Sequence, residues 1–481
     1  MTTQTLTRPA ADKALLQNQL EQQRRAYNAD PVPDYPQRVK DLKALARMLR
    51  EQQEPIIEAI CADYGNRSRE ETLLFEIYPT LAGIKETIGS LKKWMKPRRR
   101  HTDLKAYPLS KNTVIPQPLG VVGVIVPWNF PANLSFSPLT NIFAAGNRAM
   151  VKMSTNSGHL AELLKAVSSQ YFAEDKLVFI PDSGDTGPLF SSLDFDHLIF
   201  TGSSATGRAV MRSAAENLTP VTLELGGKSP AIIAPDYPIE KAAERLVYWK
   251  LMNAGQICLT VDYLFLPENS LEPFIEHAQR LANKRFPDWQ SPDYTSIIDP
   301  ASHQRLWNTL DDAREKGAKV FDLSAGQLDR DSHQRRFPPH LLVDVHSDML
   351  VMQREIFGPL LPIIPYSHPE EVISYINERP RPLAIYPYTQ DKNLQKLYIE
   401  KIMSGGVSIN NCVLHVGQHD MPFGGVGESG MGHYHGYEGF LTFSKLRPVY
   451  HQGPVNLLKF LQPPYGKRSD ALLRLMLKLT R

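Results

Sequence analysis

Apolar residues recur at helical spacing through the first hundred positions of the chain. Leu42, Leu45, Ala46 and Leu49 share one face, with Arg38, Lys40, Lys43 and Arg47 between them, so residues 12–62 are predicted to be helical. Leu73, Ile77, Leu81, Ile84 and Ile88 carry the same pattern over 72–94. Prolines then punctuate 103–117, which reads as extended. From Gly120 the period changes. Nearly all-apolar runs at 120–126, 149–153, 176–180 and 197–200 have the pattern of strands buried on both faces. Stretches of helical character, 157–172 and 205–216, lie between them. Strands alternating with helices predict a parallel sheet with crossover helices. Residues 221–225 lead toward a new unit, and alternation resumes from 230 to 410 with apolar runs at 231–234 and 360–364. The expected fold is α/β, with two parallel-sheet domains meeting near 222, no repeats and no low-complexity tract.

A length of 481 residues suits two or three domains. The content of 42% hydrophobic and 22% charged residues is that of an ordinary soluble protein. With 54 basic and 51 acidic residues the net charge is +3, which gives no argument for a nucleic-acid partner. The densest basic run, 92–100, reads as a solvated face. Cysteines at 61, 258 and 412 form no short paired spacing, against a disulfide framework and in favour of a reducing compartment. Residues 1–20 are polar and lack a signal-peptide core, and no run approaches the roughly 20 apolar residues that span a bilayer. The cytoplasm is the expected location.

Five segments carry candidate chemistry. In Phe200-Thr201-Gly202-Ser203-Ser204-Ala205-Thr206-Gly207 a buried strand ends in a glycine turn and a helix begins, a geometry that aims N–H groups at a phosphate. Packing alone produces such joints as well. Pro127-Trp128-Asn129-Phe130-Pro131 is either a loop around a packed Trp or a holder for the Asn129 amide, which could stabilise an oxyanion. Lys152 ends a strand where α/β ligands bind. Glu224 precedes two glycines that let backbone come close to something; it is a helix-capping carboxylate or an acid facing the same cleft. Cys258, in Asn253-Ala254-Gly255-Gln256-Ile257-Cys258-Leu259-Thr260, is an inert buried thiol or a nucleophile. Cys61 and Cys412 take the inert reading.

Together these strings resemble the aldehyde dehydrogenase superfamily. Phe-Thr-Gly-Ser with Gly207, Trp-Asn-Phe-Pro, Leu223-Glu224-Leu225-Gly226-Gly227-Lys228-Ser229-Pro230, Gly-Gln-Ile-Cys, Glu355-Ile356-Phe357-Gly358-Pro359 and the glycine-rich 422–432 all match its motifs. The resemblance implies two Rossmann-like parallel-sheet domains plus a bridging strand segment. The NAD(P)-binding domain would be 1–102 and 118–222, the catalytic domain 223–435, the bridging and oligomerisation segment 103–117 and 436–452, and the tail 453–481. It further implies that Cys258 is the nucleophile, with a depressed thiol pKa supplied by local dipoles or cations. Asn129 and the Cys258 N–H would form the oxyanion hole, and Glu224 would activate water. Lys152, Gly202, Ser203, Gly207, Trp128, Glu355 and Phe357 would hold NAD or NADP, with Glu355 on the nicotinamide ribose and Phe357 on the ring. No metal is implied. The family's usual Lys-Pro-Ser-Glu is Lys152-Met153-Ser154-Thr155 here, which removes a carboxylate that would repel a 2′-phosphate, so NADP is expected to be tolerated.

Residues 429–444 and the string 64–70 place the resemblance in the class 3-like branch, nearest the bacterial coniferyl aldehyde dehydrogenases. The string 64–70 reads as scaffold or surface. The branch implies an aromatic, cinnamyl-type substrate or a medium-to-long aliphatic aldehyde, and a homodimer. A cysteine hydrolase or thioesterase would need Cys258 and Glu224 but no nicotinamide. A coenzyme A-acylating dehydrogenase would not need Glu224 to activate water, and a binding protein would need neither residue. In 468–481, Leu472, Leu473, Leu475, Met476, Leu477 and Leu479 oppose Arg474, Lys478 and Arg481. A helix docked on the body or a partner subunit is the plainer reading of that face, and a membrane-surface helix the sharper one.

Overall fold

The computed structural model describes residues 12–480; residues 1–11, which include half of the polar N-terminal stretch, and Arg481 lie outside them. The expected helix over 12–62 is three: Lys13–Ala29, Tyr35–Glu51 and Gln53–Tyr64. Pro31 and Pro33 donate no N–H, and the Asp34 carboxylate caps the second helix by accepting from the Gln37 N–H at 2.9 Å. Over 72–94, a π-helical turn at Leu73–Ile77 precedes the helix Tyr78–Trp94. That turn buries Glu76, whose carboxylate accepts the N–H of Ala132 at 2.7 Å and of Asn133 at 3.2 Å. Of 103–117, the extended part is Lys111–Pro118, and turns occupy most of the rest.

Two parallel sheets form the body. The first has six strands in the order Gly430–Met431, Val221–Leu225, His197–Gly202, Val121–Ile125, Arg148–Lys152 and Leu177–Ile180; all but the first pairing are parallel. Residues 223–225 therefore continue the first sheet past the boundary expected at 222, and 430–431 return to it from the segment assigned to the catalytic domain. The second sheet has seven strands, running from Lys319–Asp322 through His340–Val343, Leu360–Tyr366, Tyr263–Pro267, Pro230–Ile233 and Ala384–Tyr388 to Gly406–Val407. Its first pairing is antiparallel and the others are parallel. Every residue of Val121–Ile125 is buried, as expected for a strand covered by helices on both faces.

A third, antiparallel sheet joins Arg98–Arg100, Lys111–Pro118 and Ser444–His451, while Gly436–Thr442 is helical. The tail forms the helix Lys467–Leu479, whose contacts are with the turn Leu457–Leu461. It is not docked on the body: Leu473 is 43%, Leu475 54%, Met476 37% and Leu477 66% exposed. Burying each fully would contribute about 1.5–3 kcal/mol, and this chain alone collects only part of it. Among the described residues no helix is long and apolar enough to cross a membrane.

Candidate active site

The carboxyl ends of five parallel strands supply one continuous site. Trp128 and Asn129 follow Val121–Ile125, Lys152 ends the next strand, and Asp182 follows Leu177–Ile180. Gly202 ends His197–Gly202, and Glu224 lies in Val221–Leu225. This edge is where open α/β sheets bind ligands. The second sheet contributes Cys258 and the loop 355–358.

Cys258 is delivered by an unusual turn. Asn253, Ala254 and Gly255 are consecutive left-handed residues, with φ of 48°, 48° and 72°. The two non-glycine residues cost about 1–3 kcal/mol each. Gln256 holds the turn: its Nε2 donates to the carbonyls of Asn253 at 2.9 Å and Ser296 at 3.0 Å. A Cβ at 255 would overlap the Gly358 carbonyl, so glycine is what lets the 355–358 loop close on the cysteine turn.

A cavity of about 500 Å3 reaches the half-buried Cys258 and the buried Asn129. Phe75, Phe130, Leu134 and Trp249 line its walls, with Ser137 and His419 also on its surface. The Asn129 side-chain amide donates to the Gln256 carbonyl at 3.3 Å, leaving its second N–H uncommitted. Its main-chain carbonyl is held by three donors: Arg67 Nη1 at 2.8 Å, Tyr64 Oη at 3.1 Å and Asn253 Nδ2 at 3.3 Å. The Arg67 guanidinium lies over the rings of Tyr64 and Phe130, 4.9 Å from each, and faces Glu76 at 3.5 Å. The string 64–70, read from sequence as scaffold or surface, therefore lies beneath Asn129. The detectable signal is an arginine beside an aromatic and followed by Glu70, Glu71 and Glu76.

Glu224 is buried and neither carboxylate oxygen has a hydrogen-bond partner, so burial raises its pKa well above the ordinary value. Gly226 and Gly227 are the close approach that the sequence pattern implied. A Cβ at 226 would overlap the Glu355 carboxylate, and the Gly227 N–H donates to that carboxylate. Glu355 is pushed up to about 8 by burial and then by Asp262, and its Oε1 has no partner. The Cys258 thiol is not depressed, contrary to expectation. Burial, Glu355 and Glu224 push it up to about 12, against the weaker pull of the Cys258 and Leu259 N–H groups. Trp128 meets Phe357 edge-on at 5.4 Å, and Phe357 is itself left-handed at φ 48°.

Toward the other end, Ser203 caps the helix Ser204–Ala215 by accepting from the Thr206 N–H at 3.3 Å. Gly207 lets that helix pack on the sheet, since a Cβ there would lie 2.7 Å from Leu225. The Cβ position of Gly202 falls 2.6 Å from the Phe200 ring. Buried Lys152 pairs with Asp182, a carboxylate that no motif in the sequence announced. Glycine-lined backbone at a helix start, a lysine–carboxylate pair at a strand end and the unpartnered Glu355 Oε1 together fit a dinucleotide laid along the edge. Among the described residues no group of three or more His, Cys, Asp or Glu could hold a metal ion.

A thiol and an amide reaching one apolar cavity, beside a sheet edge that fits a dinucleotide, suit an oxidoreductase of aldehydes. The aldehyde dehydrogenase family model matches residues 2–449, and the chain belongs to that family; its activity is NAD(P)-dependent oxidation of an aldehyde. It is 50% identical to the probable coniferyl aldehyde dehydrogenase of Pseudomonas aeruginosa, over 96% of this chain and 98% of that one. Its fold matches the substrate-bound state of Staphylococcus aureus AldH with a TM-score of 0.88 and 33% identity, covering 95% of this chain and 99% of that one. It also matches the Mycobacterium tuberculosis aldehyde dehydrogenase complexed with NAD+, with a TM-score of 0.82 and 27% identity over 93% and 92% of the two chains.

Proposed function

We propose that the substrate is an aromatic, cinnamyl-type aldehyde and that Cys258, Asn129 and Glu224 carry its oxidation. The carrying observation is the apolar cavity that reaches Cys258 and Asn129 together. Its aromatic walls suit a planar ring, and Ser137 and His419 offer partners for ring oxygens. The 50% identical relative, named for coniferyl aldehyde, supports the same class.

The Cys258 thiol releases its proton to water, the sulfur adds to the carbonyl carbon, and the C=O π pair moves to the oxygen, an oxyanion held by the free Asn129 N–H and the Cys258 main-chain N–H. Losing one such donor costs about 3 kcal/mol of barrier. When the C=O re-forms, the carbon loses a hydride and a thioester to Cys258 remains. Bound nicotinamide supplies the hydride acceptor, and Glu355, Phe357, Trp128, Lys152, Gly202, Ser203 and Gly207 are the residues that would hold the dinucleotide. Glu224 takes a proton from water, the hydroxide attacks the thioester, the C–S bond breaks and the acid leaves. The unpartnered Glu224 carboxylate supports water as the acceptor, against a thioesterase without redox chemistry or transfer to coenzyme A.

Cys258→Ala should abolish NAD(P)H formation across aliphatic, aromatic and cinnamyl-type aldehydes, and the wild type should favour the cinnamyl type. Turnover by the alanine variant would end this account. A homodimer joined through the antiparallel sheet of 98–100, 111–118 and 444–451 would also offer a partner surface for the uncovered tail helix, in place of a membrane surface. Light scattering of the full chain, with and without anionic vesicles, tests both; a vesicle-bound monomer would reverse that preference.

A further inference from the structure

The carboxylate missing at Thr155 is supplied from another strand. Asp182 follows Leu177–Ile180, which pairs with Arg148–Lys152. Its Oδ2 accepts from Lys152 Nζ and from the Thr155 hydroxyl at 2.9 Å, and its Oδ1 accepts from the Gly184 N–H at 2.8 Å. Asp182 is 5% exposed and Lys152 7%. Burial alone would raise the Asp182 pKa; the Lys152 ammonium, the Gly184 N–H and the Thr155 hydroxyl outweigh it and hold the group below its ordinary value. At neutral pH it is an anion.

Its place in the sheet gives that anion a meaning. The chain lays down Val121–Ile125, then Arg148–Lys152, then Leu177–Ile180, and crosses to the other side of the first strand at His197–Gly202. In doubly wound sheets an acid at the carboxyl end of a strand accepts a hydrogen bond from the adenosine ribose; here Asp182 takes such a place from a strand laid down before the Gly202 turn. The second strand ends at Lys152 and Thr155 opens the short helical turn that follows, and neither is an anion.

We propose that Asp182 is the specificity-determining residue of the dinucleotide site: it accepts the adenosine ribose 2′-hydroxyl and repels a 2′-phosphate, with Lys152 and Thr155 as its anchors. The assignment rests on the dinucleotide reading above. A phosphate monoester carries about −1.5 to −2 charges at neutral pH. Lys152 alone would attract it. Paired with Asp182, the lysine presents no net charge, and a 2′-phosphate would place a second anion against a buried one. Thr155 is then an anchor for a relocated acid, and the proposal favours NAD+ where the identity of Thr155 alone would admit NADP+.

The test is direct binding of NAD+ and NADP+ to the full chain without aldehyde, followed by quenching of tryptophan fluorescence. NAD+ should bind about tenfold or more tighter, since specificity is the difference of the two affinities. Asp182→Asn should move the ratio of dissociation constants toward NADP+ by about tenfold, and Thr155→Val should move it the same way by less. If Asp182→Asn does not fold, the wild-type ratio and Thr155→Val decide. Equal wild-type affinities, or an unchanged ratio in the variants, would overturn the role of Asp182 and leave the oxidation reading intact. Binding of neither dinucleotide would overturn both.

Discussion

The two ends of the site handle buried charge in opposite ways. At the adenosine end Lys152, Thr155 and Gly184 satisfy Asp182 before any ligand arrives. At the reacting end both Glu224 oxygens and one Glu355 oxygen have no partner, and the turn into Cys258 holds successive left-handed residues. A buried polar group left unsatisfied costs about 1–3 kcal/mol. The Lys152–Asp182 pair is closed. Chemistry is built from groups left open, because a water, a ribose or a developing charge has to take the empty place.

The largest effect should come from closing the most open group. Glu224→Gln should slow thioester hydrolysis by about 10²–10⁴-fold while leaving the first-turnover NAD(P)H burst in stopped flow. Loss of the burst with the slow phase intact would give Glu224 a different role. A smaller effect should follow from loosening the support under Asn129. Arg67→Gln should lower kcat on the order of tenfold, with dinucleotide affinity unchanged and partial rescue in Arg67→Lys. A change in affinity without a change in kcat would make Arg67 purely structural.

The smallest effect concerns the thiol. Its raised pKa keeps Cys258 protonated at neutral pH, so alkylation by iodoacetamide should accelerate steadily as pH rises toward 12. Glu355 acquires its charge only above about 8, so Glu355→Gln should speed alkylation severalfold at alkaline pH and leave it unchanged near pH 6. Equal rates at all pH values would remove Glu355 from the thiol's surroundings.

Much of this was legible because it is local. The all-apolar runs mark the strands of the first sheet, and the strings around Cys258, Asn129 and Glu224 each lie within a few residues. What was missed depends on contacts between distant segments. Asp182 belongs to no motif and acquires its place only when Leu177–Ile180 pairs with Arg148–Lys152. Arg67 reads as part of a polar surface string until the fold seats it under the Asn129 carbonyl. The thiol pKa went the wrong way because the expectation counted dipoles near Cys258 and not its burial or the two carboxylates folded against it. The helix over 12–62 broke where two prolines and the Asp34 cap outweighed the apolar period.

Gly226 and Glu355 share one volume: the space a side chain would fill at the first is filled by the carboxylate of the second. The two positions are therefore sterically one unit. Any single replacement at 226 evicts the acid, while a shorter residue at 355 opens room for a replacement at 226 but removes the acid's function first.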